Sequence, residues 1–222
     1  MIVYHFMSTK WALEAIKNQR LKVSRFNDLN DPFELFAAEL TDKNRRREFR
    51  SWKKEMSEKY GLMCFSTRWS NPLLWSHYAD KHKGVALEVE IPNDYVAEVS
   101  YHPERLMLDI EQKLSKNGLS ESDVYSLLTS KFEHWRYEDE VRVFKGRSDC
   151  TIENEYWFSE FGESMQLTGV IHGPLCQLAE REISTVLPKG MKLNLTKARL
   201  AFQSFSVVQN QWPGISIVEG NA

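Results

Sequence analysis

Apolar side chains recur at every second position over short stretches of this chain and at every third or fourth over longer ones, so strands and helices are both expected. Residues 2–6 read as a strand carrying His5 between Tyr4 and Phe6. Ser8 or Thr9 then caps a helix with Trp11, Ala12, Ala15 and Ile16 on one face. Residues 21–24 form the next strand, and 27–34, Asn-Asp-Leu-Asn-Asp-Pro-Phe-Glu, are a run of turn formers placing Asp31 and Glu34 at its end. A helix follows over 41–60, with Phe49, Trp52, Met56 and Tyr60 on one stripe and Gly61 just past its end.

Residues 64–91 are the stretch around which the rest is organised. A strand end near Ser66 leads to Asn71-Pro72, an N-cap with proline at the first helical position, and Gly84 ends that segment. Val85, Leu87, Val89 and Ile91 then alternate with Ala86, Glu88 and Glu90 as a half-buried strand. Further on, the pattern predicts a strand at 97–101, helices at 104–116 and 121–134, and a strand at 138–144 with Glu138, Glu140 and Arg142 on one face. A strand at 168–172, a helix at 175–186 and strands at 191–196 and 199–209 complete the pattern. The expected architecture is α+β, with one mixed or antiparallel curved sheet flanked by helices in a single domain over 1–212 and a tail over 213–222.

Composition changes this picture little. In 222 residues, 42% are apolar and 27% charged, and no apolar run approaches the roughly 20 residues of a membrane span. Met1 to Met7 lacks the basic start and apolar core of a secretory signal, so a cytoplasmic protein is expected. Cys64, Cys150 and Cys176 are odd in number and widely spaced, which fits reduced thiols. The net charge of −2 is unevenly spread, since 41–60 holds eight Lys and Arg against four Asp and Glu. Such a helix either pairs its own charges or receives a phosphate-rich partner such as nucleic acid.

Three constellations carry chemistry. His5, Ser66, the Trp75-Ser76-His77-Tyr78 cluster and the Glu138/Glu140 pair suit a displacement in which a carboxylate stabilises developing positive charge while an aromatic ring stacks on a planar leaving group. His77, Asp80 and His82, with Asp31, offer metal-ligand types, but residues five apart on a helix diverge by about 140°, and no metal is expected. Asp31, Glu34, Glu138 and Glu140, with Arg142 or Lys145 near a phosphate, would suit a metal-dependent nuclease. Glycine-rich phosphate loops and a G-x-S-x-G elbow are missing.

Tyr4-His5-Phe6, Asn30-Asp31-Pro32-Phe33-Glu34, Cys64-Phe65-Ser66, Trp75-Ser76-His77-Tyr78-Ala79-Asp80 and Trp135-x-Tyr137-Glu138-x-Glu140-x-Arg142 together resemble a widespread bacterial domain of unknown function, found also near phage-defence and abortive-infection genes. The same order of parts more loosely resembles the ADP-ribosyltransferase fold. That second resemblance implies an NAD-dependent enzyme, a toxin or phage-defence effector, modifying a macromolecular acceptor. In it His5 bonds the nicotinamide ribose, Ser66 follows on its strand, Tyr78 or Trp75 stacks on nicotinamide, and Glu140, preceded by Glu138, orients the ribose. His77 and Arg142 are the remaining candidates for contact with the cofactor. A non-catalytic binding module acting through 41–60 is the alternative from another class.

Overall fold

The computed structural model describes residues 1–31, 33, 37–38, 43–106, 119–212 and 214–222, with backbone only at Arg45. Strands β1 (Ile2–Met7), β3 (Tyr60–Ser66) and β4 (Val85–Glu90) form the centre of one large mixed sheet, and β2 (Arg20–Arg25) and β8 (Glu140–Gly146) both pair with β3. To one side of β4 lie β11 (Gln166–His172), β12 (Lys192–Leu200) and, on the outer edge of β12, β13 (Val207–Gln209) and β14 (Ser216–Glu219). To the other side β2 leads to β10 (Tyr156–Glu160) and β9 (Thr151–Glu153), while β5 (Ala97–Glu98) pairs with β8. β11 and β12 run parallel and the other pairs antiparallel, so the sheet is mixed and does not close into a barrel. A separate two-stranded parallel sheet joins β6 (Ser100–His102) to β7 (Ser130–Phe132).

Burial follows the pleat. Val3, Leu21, Val23, Met63, Phe65, Val85, Leu87, Val89, Val141 and Val143 share one core cluster with Ala12 and Ile16 of α1 (Thr9–Asn18) and Ile183 of α5 (Glu180–Val186). Trp75 of α3 (Pro72–Tyr78) packs on the opposite face with Ala79, Ala86, Ile171 and Val207. A third layer, α2 (Lys43–Lys59) with α4 (Glu121–Leu128), covers Leu62 and Phe26, and Phe49 of α2 is buried in one cluster with Leu127 of α4. No helix among the described residues is long and apolar enough to cross a membrane.

Several expected elements are redrawn, each for a local reason. Gly61 does not stop a helix but lies within β3, where a Cβ would come to 2.7 Å from Val23 Cγ1 and 2.8 Å from the Ser24 carbonyl; close approach of β2 requires glycine there. The helix expected over 121–134 ends at Leu128. The Thr129 hydroxyl donates to the Tyr125 carbonyl, 2.8 Å, and the chain turns into β7. The strand expected from 138 begins at Glu140, because 133–138 wind as a 3-10 turn closed by Asp139 at φ 44°, a left-handed conformation that Asp tolerates. The helix expected over 175–186 starts at Glu180, where the Glu182 carboxylate accepts from the Ala179 N–H, 2.9 Å. In the helix expected over 104–116, residues 107–116 lie outside the described ones, while Leu106 bridges Ala38.

The stretch expected as a tail is not one. Residues 216–219 pair with 192–195, Val218 is buried, and the last backbone groups bond to Leu187 and Lys189. Truncation after Trp212 should therefore lower the melting temperature by several degrees, about 2–4 °C for each of the roughly 1.5–3 kcal/mol that burial of Val218 contributes. Unchanged melting of the truncated chain would return the segment to the status of a tail.

Candidate functional site

β1 and β3 meet at a single bridging pair, Tyr4 with Ser66, and Ser66 in turn pairs with Glu140 of β8. Beyond that pair the His5 ring reaches the Cys64 carbonyl, 2.8 Å from Nδ1. A cavity of about 190 Å³ opens here, lined by His5, Ser66, Tyr78, Glu138 and Glu140 of the expected set, together with Lys22, Asp31 and Lys131. Strands β1, β2, β3, β7 and β8, the end of α3 and the 3-10 turn thus converge on one hollow. An apolar cavity of about 660 Å³ adjoins it, and Asp31, Lys131 and Trp135 line both.

Lys131 governs the electrostatics. Its Nζ lies 2.5 Å from Glu138 Oε2 and 2.9 Å from Glu140 Oε2, with all three side chains buried, and it sits 5.1 Å from the centre of the Trp135 ring. Glu140 is also held by Arg142, whose Nε donates to Oε1 at 2.8 Å and whose second nitrogen donates to Oε2 at 3.2 Å. Burial alone would raise the Glu140 pKa; the guanidinium, the ammonium and a hydrogen bond from Cys64 overcome it and hold the carboxyl at about 2. Glu138 goes the other way. Burial and the neighbouring Glu140 charge raise its pKa against the pull of Lys131 and of the Tyr78 hydroxyl, which donates at 2.6 Å. The two carboxylates therefore have different proton affinities in one site.

His5 is similarly preset. A carbonyl only accepts, so Nδ1 must carry the hydrogen and Nε2 is left as an acceptor; burial lowers the ring's pKa and keeps it neutral. The Ser66 hydroxyl is engaged locally, donating to the Arg68 carbonyl at 2.8 Å and accepting from its N–H at 3.1 Å. Tyr101 supports Glu140 from behind, its hydroxyl accepting from the Glu140 N–H at 2.9 Å, and burial pushes the phenol up to about 12.

Three expected contact residues are placed elsewhere. Trp75 has no exposed surface: its indole N–H donates to the Trp69 carbonyl at 2.6 Å and its ring meets Phe6 edge-on, so it presents no face to the cavity. Arg142 is fully buried behind Glu140 and also donates to the Leu128 carbonyl at 2.6 Å, which makes it the counter-ion of Glu140 and not a ligand contact. His77 is exposed, 3.1 Å from the Tyr137 hydroxyl, among the rings of Tyr78, Trp135 and Tyr137. Of the metal and nuclease groupings, Asp31 lines both cavities, Glu34 lies outside the described residues, and no three His, Cys, Asp or Glu side chains converge to hold a metal among the described residues.

Lys131, Tyr101 and Lys22 carry no signal in the sequence pattern. Lys131 falls in a stretch with helical periodicity, and only the parallel pairing of β7 with β6 turns it toward the carboxylates. Set against known proteins, the chain matches no family model, no curated protein and no solved structure.

Replacing Lys131 by Met leaves two buried carboxylates short of a cation, a loss of about 3–5 kcal/mol. The sign with pH is fixed by Glu140. Its depressed pKa gives stability above its ordinary value of 4.5 that is lost as pH falls toward about 2, while Glu138, shifted upward, loses its contribution as pH rises. Urea midpoints of wild type and Lys131→Met should therefore differ most at neutral pH and draw together as pH falls from 4.5 toward about 2; a constant gap would show that the ammonium does not hold the carboxylates.

Proposed function

We propose that the chain is an NAD-dependent transferase of the ADP-ribosyltransferase type, acting on a macromolecule as a toxin or phage-defence effector. One observation carries the reading: a single hollow between splayed strands collects a neutral His5 acceptor, the Tyr78 ring, an ionised Glu140 and a Glu138 of raised proton affinity. The side chains of the smaller cavity are of the types that a nicotinamide riboside needs. A cavity of about 190 Å³ suits the nicotinamide riboside end, and the adjoining 660 Å³ lies within the roughly 300–1,000 Å³ usual for ligand pockets.

NAD, when bound, supplies a ribosyl carbon whose bond to nicotinamide breaks with the electron pair leaving on nicotinamide. His5 Nε2 accepts a hydrogen bond from a ribose hydroxyl, and Tyr78 packs on the planar ring. Glu140, anionic throughout the physiological range, hydrogen-bonds the ribose and stabilises positive charge growing at the ribosyl carbon. Glu138 takes the proton released by the incoming acceptor. Arg142 and Tyr101 hold Glu140 in place, and the two carboxylates divide the work because their surroundings differ.

A second reading, a phosphate-binding module without catalysis, is favoured by α2. Lys43, Arg46, Arg47, Arg50 and Lys54 stand at i, i+3, i+4, i+7 and i+11, on one stripe, and the first four line a surface hollow with Asn44. If the transferase reading holds, this stripe receives a nucleic-acid acceptor.

Nicotinamide release from NAD should fall about 10²–10³-fold in Glu140→Gln with the folded spectrum retained. Full turnover by that variant would remove Glu140 from the chemistry. For the second reading, Arg47→Ala with Arg50→Ala should flatten the log–log salt dependence of oligonucleotide binding by roughly 0.9 for each phosphate that is no longer neutralised. An unchanged slope would leave α2 as a solvated face.

A further inference from the structure

The two ends of the sheet differ in kind. At one end β9 is three residues long, exposed throughout, and tied by an ion pair between Glu153 and Arg20. Short charged edges of this sort resist pairing with other chains. The other end is formed by β13 and β14, which continue each other along the outer edge of β12 and, among the described residues, have no strand beyond them. That edge is lined with large apolar side chains. Phe202 and Phe205, at the turn between β12 and β13, are 90% and 100% exposed, Trp212, in the segment between β13 and β14, is 87% exposed, and Leu200, Ile215 and Ile217 are more exposed than buried.

The exposed apolar area is at the upper end of what an ordinary monomer leaves to water. Each aromatic ring presents about 150–250 Å², so the three give on the order of 500 Å² before the aliphatic residues are added. The largest apolar patch of an ordinary monomer is about 300–600 Å², and a stable interface takes about 800 Å² from each partner. The order of the residues suits a second copy of this chain as the occupant. Along the edge the aromatic turn lies at one end, Trp212 in the middle and Ile217 at the far end. A two-fold axis near Trp212 would set one edge antiparallel to its copy, Trp212 against Trp212 and each Phe202/Phe205 turn against the other chain's Ile217. Such an edge is complementary to itself, and the outer N–H and C=O groups of β14 gain partners at the same time.

We infer that β13 and β14 form the contact of a two-fold homodimer in which the sheets of two copies pair edge to edge. The contact is independent of the transferase reading. Sedimentation equilibrium of the full chain should give twice the 26.0 kDa monomer mass. Phe205→Asp, in an exposed turn where it does not disturb the core, and Ile217→Lys should each weaken association at least tenfold with circular dichroism unchanged. Trp11→Lys, on the exposed face of α1, should leave the dimer intact. Wild type that sediments at 26.0 kDa at the highest concentration overturns the inference, as does a dimer indifferent to Phe205→Asp. A monomer that floats with anionic phospholipid vesicles also overturns it and assigns the aromatic turn to a lipid surface.

Discussion

Two carboxylates and two cations share a nearly dry space in this molecule, and the candidate site depends on how they balance. Glu140 is gripped on one side by the Arg142 guanidinium and on the other by the Lys131 ammonium, which also reaches Glu138. Buried charges of this kind are tolerated only when paired and hydrogen-bonded, and the pairing here recruits groups from β3, β7, β8, the 3-10 turn and α3. The network therefore fixes how these elements meet. It also sets the two proton affinities in opposite directions, which a pair of equivalent carboxylates in water would not have.

The sheet supplies the geometry that the network needs. A single bridging pair between β1 and β3 lets the strands part, and His5 fills the gap by bonding the Cys64 carbonyl. Had the ladder continued, the backbone groups would have satisfied each other and no hollow would exist. Trp75 and the apolar cluster around it anchor α3 on the sheet, so that Tyr78 is held at the rim.

Much of this was legible in the sequence, for reasons that differ from residue to residue. The alternation of 85–91 and the Asn71-Pro72 start are local signals, and β4 and α3 follow them closely, with the Asn71 carboxamide accepting from the Leu73 N–H at 3.0 Å. His5, Ser66, Tyr78, Glu138 and Glu140 group by residue type, and the structure places them around one cavity. Lys131 was not legible. Its role depends on Thr129 ending a helix early and on a parallel pairing with a strand 30 residues before it, neither of which leaves a periodic trace. Trp75 and Arg142 suggest ligand contacts because aromatic and cationic side chains are common in sites. Only three-dimensional packing shows that one is core and the other a counter-ion.

On the proposed reading His5 and the carboxylates serve one ligand, and calorimetric titration of NAD into wild type and into His5→Ala tests that most directly. That reading predicts saturable binding by the wild type and its loss, or a weakening of at least tenfold, in His5→Ala of unchanged fold. Binding absent from the wild type at millimolar NAD, or identical in the two proteins, would contradict it.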